Sequence, residues 1–238
     1  MSPGLGAAWD GVLASPVFAV ALTLAAYEAA RRLWERLGRR PVINPVLVSI
    51  VVIGAVLWAV DVDYDGYADG SAVITLLLGP ATVALAWPMH RELALLRRAA
   101  VPVLAGVGAA TGVAVVSGYL VTRLTGGPEA LALSMAPKTT TTPVAIALTE
   151  QIGGVPALTA VLTVVTGVLG ATLGPPLLDL LRVRDGRVRG LAIGASAHGI
   201  GTAGVMHEGR TTAAFAGLGM ALATLCTSGW VLVVPLLQ

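Results

Sequence analysis

Two polar stretches interrupt a chain that is otherwise mostly oil. The first is Ser134-Met-Ala-Pro-Lys-Thr-Thr-Thr-Thr-Pro143 and the second is Gly194-Ala-Ser-Ala-His-Gly-Ile-Gly-Thr202. Lys138 offers an ammonium, and Thr139, Thr140, Thr141 and Thr142 offer hydroxyls ahead of Pro143. That set suits a small anion, because hydrogen bonds to a charged group are the strong ones. In the second stretch His198 is ionisable near neutral pH and suggests proton coupling. Gly199 and Gly201 loosen the backbone around it, beside Thr202, and free N–H groups of the kind that hold anions at helix N-termini. Each group also has a plainer reading. Lys138 snorkels to an interface along its own stem, the threonines cap a helix that Pro143 opens, and His198 stays neutral on a neighbouring carbonyl. Replacing Thr141 or His198 by alanine is expected to abolish the activity if the ligand reading holds.

These residues must be held in a membrane. The chain has 238 residues, 56% hydrophobic and 12% charged, with a mean hydropathy of +0.84. Soluble domains carry about 25% charged residues. The composition predicts an all-α, polytopic transmembrane bundle, one integral-membrane domain over residues 1–238, in the plasma membrane of a bacterium. The net charge of +2 is small and its basic residues fall in short loops, so nucleic acid is not an expected partner. The lone Cys226 sits in an apolar run and reads as a small hydrophobe. Met1-Ser-Pro-Gly-Leu-Gly6 carries no basic group before the first apolar run, so no cleaved leader is expected.

A spanning helix needs about 20 apolar residues. Seven to eight apolar segments are expected, over 12–33, 42–60, 71–89, 100–124, 128–150, 154–181, 190–206 and 212–237. Arginines 31, 32, 36, 39 and 40, then 91, 97 and 98, then 182, 184, 187 and 189 mark cytoplasmic loops. Gly126-Gly127 then lies outside, and the Arg182–Arg189 loop inside. Only an odd number of crossings satisfies both. The 128–150 segment is therefore expected to enter and return as a re-entrant hairpin turning near Pro137–Pro143. Lipid cannot satisfy a broken backbone, so such a segment is buried in protein or lines a wet cavity.

An internal repeat is suggested by Pro80-Ala-Thr-Val-Ala-Leu85 and Pro143-Val-Ala-Ile-Ala-Leu148, although short matches in such common residues also arise by chance. Glycines 167, 170, 174, 217 and 219 read as helix-packing positions. Asn44 is expected to cap the helix opened by Pro45. His207, Glu208 and Arg210 read as a solvated polar loop. No metal spacing, phosphate loop or nucleophile elbow is present in the sequence, so neither an enzyme nor a cofactor is expected.

Five stretches carry a resemblance to the LrgB/CidB family. They are Asn44-Pro-Val-Leu-Val48, Leu78-Gly-Pro-Ala-Thr-Val-Ala-Leu-Ala86, Pro137-Lys-Thr-Thr-Thr-Thr-Pro-Val-Ala145, Glu150-Gln-Ile-Gly-Gly154 and Ala197-His-Gly-Ile-Gly-Thr-Ala203, and the likeness runs from about Pro16 to Leu236. Family members often have Ser-Val-Thr-Thr-Pro where this chain has Thr139-Thr-Thr-Thr-Pro143, and Arg-Ala where it has Gly204-Val205. The second departure removes a basic group and with it an anion contact at that position. The resemblance implies one of two functions. One is carriage of small monocarboxylates, as for plastid relatives that move glycolate and glycerate and bacterial ones linked to pyruvate. The other is antiholin-like or holin-like control of murein hydrolases and lysis. It also implies a small LrgA/CidA-type membrane partner, and a homo-oligomer fits the second function.

Overall fold

Proline and the residue before it start several of the helices. Ser15 precedes Pro16 and its hydroxyl accepts from the Phe18 N–H at 3.3 Å. Asn44 precedes Pro45 and its Oδ1 accepts from the Val46 N–H at 2.8 Å, the expected cap. The computed structural model describes residues 11–13, 15–38, 43–84, 87, 90 and 93–233. Among them every regular element is helical, and the chain packs as two units, Met1–Ala84 and Leu85–Gln238.

The first unit contains α1 (Pro16–Arg36), α2 (Pro45–Ala59), α3 (Tyr64–Gly70) and α4 (Ala72–Ala84). α1 buries Ala19, Ala26 and Ala30. Gly70 lies so close to α1 that a Cβ there would sit 2.9 Å from the Ala19 methyl, and Thr23 shares a 2.6 Å hydrogen bond with the Tyr67 hydroxyl. α2 and α3 meet at a bend of 119°.

The second unit contains α5 (Leu93–Arg98), α6 (Ala100–Leu124), α7 (Glu129–Met135), α8 (Thr142–Ile152), α9 (Pro156–Leu180), α10 (Gly186–Val205) and α11 (Arg210–Val231). α6 buries Val103, Val107, Thr111, Val115 and Tyr119, one residue per turn. That stripe faces Phe215 and Ala223 of α11 at one end and Ala132, Leu133 and Ala136 at the other. Further along both helices Trp230 of α11 donates to the Gly108 carbonyl and packs on Gly112, so α6 and α11 run parallel. α9 runs the opposite way.

Between these long helices lie two hairpins. α7 turns back along α6, with Gly127 packed on Thr122. After a break at 136–141, α8 returns. Its last residue, Ile152, packs into the Ala132–Leu133–Ala136 cluster, and the Ser134 hydroxyl accepts from the Val155 N–H at 2.8 Å. Had α8 continued onward, its 11 residues would have carried Ile152 about 16 Å further away. The second reversal lies inside α10. His198 has φ 39° and ψ −133°, a conformation that breaks the helix. Gly201 then comes back against Ile193, where a Cβ would lie 3.0 Å from the Ile193 carbonyl oxygen. A straight helix would hold residues eight apart at about 12 Å. The first hairpin is rooted beside the C-terminus of α6. The second is rooted at the opposite end, beside the C-terminus of α9.

Among the described residues three helices are long and apolar enough to cross a membrane: Ala100–Leu124, Pro156–Leu180 and Arg210–Val231. A fourth crossing arises if the bent pair Pro45–Ala59 and Tyr64–Gly70 counts as one. Seven to eight are therefore not reached there. The 128–150 and 190–206 segments are each broken and fold back on themselves. α1 ends in Glu28, Arg31, Arg32, Glu35 and Arg36, of which Arg31 pairs with Glu28 and Glu35, and Arg32 with Glu28. The 15-residue α2 is about 22 Å long, short of the hydrocarbon's roughly 30 Å. The sequence echo also dissolves. Pro80 lies inside α4 whereas Pro143 sits in the first turn of α8. What recurs is a hairpin followed by a long helix, once from each end.

The second hairpin is pinned at its root by Arg189. Its Nε and Nη2 donate to the two oxygens of Glu208 at 2.8 and 3.1 Å, and its Nη1 donates to Asp179 at 2.8 Å. Glu208 is thus no plain solvated loop residue. The hydrogen bond donated to Glu208 raises the Arg189 pKa above its ordinary value, against the opposing effect of burial. The Arg189 side chain is 11% exposed, so Arg189→Met leaves a half-buried carboxylate unpaired. It should cost about 2–3 kcal/mol, read as a lower midpoint in thermal unfolding, with Glu208→Gln in the same chain recovering part of it.

Candidate functional site

The break of the first hairpin and the outgoing arm of the second wall the same cavity. It has a volume of about 350 Å³ and is walled by Val107, Thr111 and Ala114 of α6, Thr139 of the first break, and Ala195 and Ser196 of α10. The sequence points to Thr139 among these and misses the others. Thr111 is hidden in the apolar stripe of α6, and Ser196 sits two residues before the reversal, so only the fold brings them to this wall.

The break itself is built by its prolines and threonines. Thr141 is the N-cap of α8 with extended backbone (φ −68°, ψ 143°), and its side chain makes no capping bond. Thr142 opens the helix and Pro143 follows in its first turn. Thr140 is fully buried and donates to the Thr224 hydroxyl of α11 at 3.0 Å. Thr139 is 8% exposed, and its hydroxyl has no hydrogen-bond partner in the protein. A buried hydroxyl left unpaired costs about 1–3 kcal/mol, so Thr139 keeps an unused donor and acceptor just beneath the cavity wall.

Lys138 does not snorkel. Its Nζ turns inward over Gly118 of α6, where a Cβ would collide with it. It donates to the carbonyls of Ala114 at 3.4 Å and Met135 at 3.3 Å. Both bonds are long, and no carboxylate among the described residues lies within ion-pairing distance. The ammonium thus sits half-buried with neutral partners alone, behind the stretch of wall formed by Ala114 and Thr139.

His198 takes the plainer geometry. It is 4% exposed, and its Nε2 lies 3.0 Å from the Thr163 carbonyl of α9. Gly167 leaves the room for its ring, since a Cβ there would come within 2.5 Å of Cε1. The imidazole thus faces α9 rather than the cavity. Thr202 donates to the His198 carbonyl at 2.7 Å and ties the returning arm to the tip. Gly201 permits the arms to approach, and Gly199 is exposed with open space around it. Of the expected site residues, Thr139 lines the cavity and Lys138 adjoins it. Thr140, His198, Gly201 and Thr202 shape the two tips. Among the described residues no three potential metal ligands cluster.

The backbone at His198 predicts an inverted substitution order. In an ordinary helix alanine is more stable than glycine by about 0.5–1 kcal/mol. Here φ is positive, so His198→Gly keeps the turn without strain, while His198→Ala loses the ring and retains the strain. The glycine variant should melt higher than the alanine one, by roughly 1 kcal/mol of stability.

The family model described as LrgB-like matches residues 23–237. Among curated relatives, the uncharacterized protein YxaC of Bacillus subtilis is 36% identical over 206 residues, covering 87% of this chain and 89% of its own. The uncharacterized protein YwbG of the same species is 33% identical, with 89% and 95% covered. The antiholin-like protein LrgB of Bacillus mycoides is 28% identical over 222 residues, with 93% and 95% covered. No solved structure matches the chain. Its apolar helices make it a multi-pass protein of the cell membrane, and the chain belongs to the LrgB-like family.

Proposed function

We propose that the protein is a secondary carrier of small monocarboxylates such as glycolate, glycerate, pyruvate or lactate. The observation that carries this reading is Lys138, an ammonium in the second unit with no carboxylate partner among the described residues, next to a cavity whose wall includes Thr139, the unpaired hydroxyl of which lies just beneath that wall. A buried charge without a counter-charge is costly, and an incoming carboxylate relieves it. The hairpin geometry supports the same reading. Broken helices reaching one cavity from opposite ends suit a binding site opened alternately to each side. In this reading the first hairpin is re-entrant from outside and the second from the cytoplasm. His198 orients the second tip, and neither cofactor nor covalent chemistry is required. The test is uptake of labelled pyruvate and glycolate into proteoliposomes, with and without unlabelled acid inside. Saturable uptake accelerated by internal acid supports a carrier. Its absence from protein that unfolds cooperatively sinks the reading.

A second reading is regulation of murein hydrolases, favoured by the antiholin-like name of the Bacillus mycoides relative. It expects a homo-oligomer, or a complex with a small LrgA/CidA-type partner, that leaks ions without saturation. Conductance in planar bilayers separates the two.

A further inference from the structure

The wall of the cavity is chemically one-sided. At one end stand Thr139, whose unpaired hydroxyl lies just under the wall, and Ala114, whose carbonyl holds the Lys138 ammonium. The rest is aliphatic, supplied by Val107, Ala110, Val188, Leu191 and Ala195. The two other hydroxyls on the wall already donate within their own helices. Thr111 donates to the Val107 carbonyl at 2.8 Å, and Ser196 to that of Ala192 at 2.7 Å. Among the described residues no charged side chain lines the cavity. A ligand that placed its carboxylate at the Thr139 end would therefore lay its other end on methyl and methylene groups.

We infer that the site selects acids with an aliphatic tail, such as butyrate or 2-oxobutyrate, over hydroxylated acids such as glycolate and glycerate. This rests on the carrier reading above and ranks the ligands within it. The reason is the asymmetry of polar burial. A tail methylene gains by leaving water. A hydroxyl on the same tail loses its water partners and meets few unused donors or acceptors beyond Thr139. The cavity of about 350 Å³ also exceeds what a two- or three-carbon acid fills, so a short extension adds contacts without overpacking. An apolar pocket discriminates against an added hydroxyl by about 10- to 100-fold at most, and that range is the size expected here.

Protonated short acids leak through bilayers, so binding is the cleaner measurement. The purified full-length protein is titrated in detergent at neutral pH with butyrate, 2-oxobutyrate, glycolate and glycerate, and the rise in Tm is followed. The aliphatic acids should reach half-effect at a concentration at least tenfold lower than glycerate. Ala110→Asn, on the exposed part of the wall, places there an amide with two donors and an acceptor, more than its own helix can use, and should narrow that ratio by about threefold or more. Equal or tighter binding of glycerate overturns the inference and leaves the carrier reading standing. An unchanged ratio in Ala110→Asn also counts against it. If no acid shifts Tm, and labelled pyruvate is not taken up by liposomes either, the inference and the carrier reading fall together.

Discussion

Lys138→Met should lower uptake of labelled pyruvate by about 10- to 100-fold while the protein melts no lower than the unsubstituted chain. The two halves of that result have one cause. The ammonium is held by two long bonds to the Ala114 and Met135 carbonyls and has no ion-pair partner among the described residues, so its removal orphans no charge there. Replacing an uncompensated buried ion by an apolar side chain of similar length is neutral or stabilising. The ligand, by contrast, loses the attraction of an ammonium that lies behind the Ala114 and Thr139 wall, and a 10- to 100-fold loss corresponds to about 1.4–2.8 kcal/mol. Lys138→Arg should recover little, because the guanidinium is broader and the ammonium lies tight against Gly118. A structural role for Lys138 predicts the opposite pairing, with Tm and uptake falling together. Uptake into proteoliposomes and thermal unfolding of the same preparation decide between them.

Much of this site is legible before any fold is known. A lysine, four threonines and two prolines cannot form a plain spanning helix, and the arginine loops on either side demand a segment that does not cross. Charge parity therefore locates the first hairpin, and Thr139 with Lys138 at its tip. The second hairpin leaves no such trace. Its segment, 190–206, is apolar enough to read as a span, and the reversal rests on one dihedral pair at His198. Nor does sequence tell which way an ionisable ring faces. His198 is as polar on paper as Lys138, yet its partner is a carbonyl of the neighbouring helix. The arginines show the same limit. Loop counting finds Arg189 as one of four basic residues, but only the fold sets it on Asp179 and Glu208.

The glycines of α10 carry the largest expected effect on stability. Gly190 and Gly194 lie one turn apart on the arm that runs parallel to α11, and both meet its backbone directly. A Cβ on Gly194 would collide with the Ala216 carbonyl, its carbon at 2.7 Å and its Cα at 2.8 Å. On the facing helix, Gly219 would place a Cβ 2.6 Å from the Leu191 carbonyl oxygen. Backbone cannot rotate aside as a side chain can, so a methyl there must push two helices apart. Gly194→Ala should therefore cost roughly 3 kcal/mol or more, the upper range for overpacking, and deplete the protein from the membrane fraction. Gly199→Ala is the internal control. It lies five residues further on, with nothing within 4 Å of its would-be Cβ, and should leave accumulation unchanged. At Gly170 the obstacle is the Ala197 methyl at 2.7 Å, a side chain on a helix packed less intimately, and an intermediate cost follows. The order Gly194, Gly170, Gly199 in loss of Tm would locate the most rigid contact of the second hairpin between α10 and α11, where backbone meets backbone.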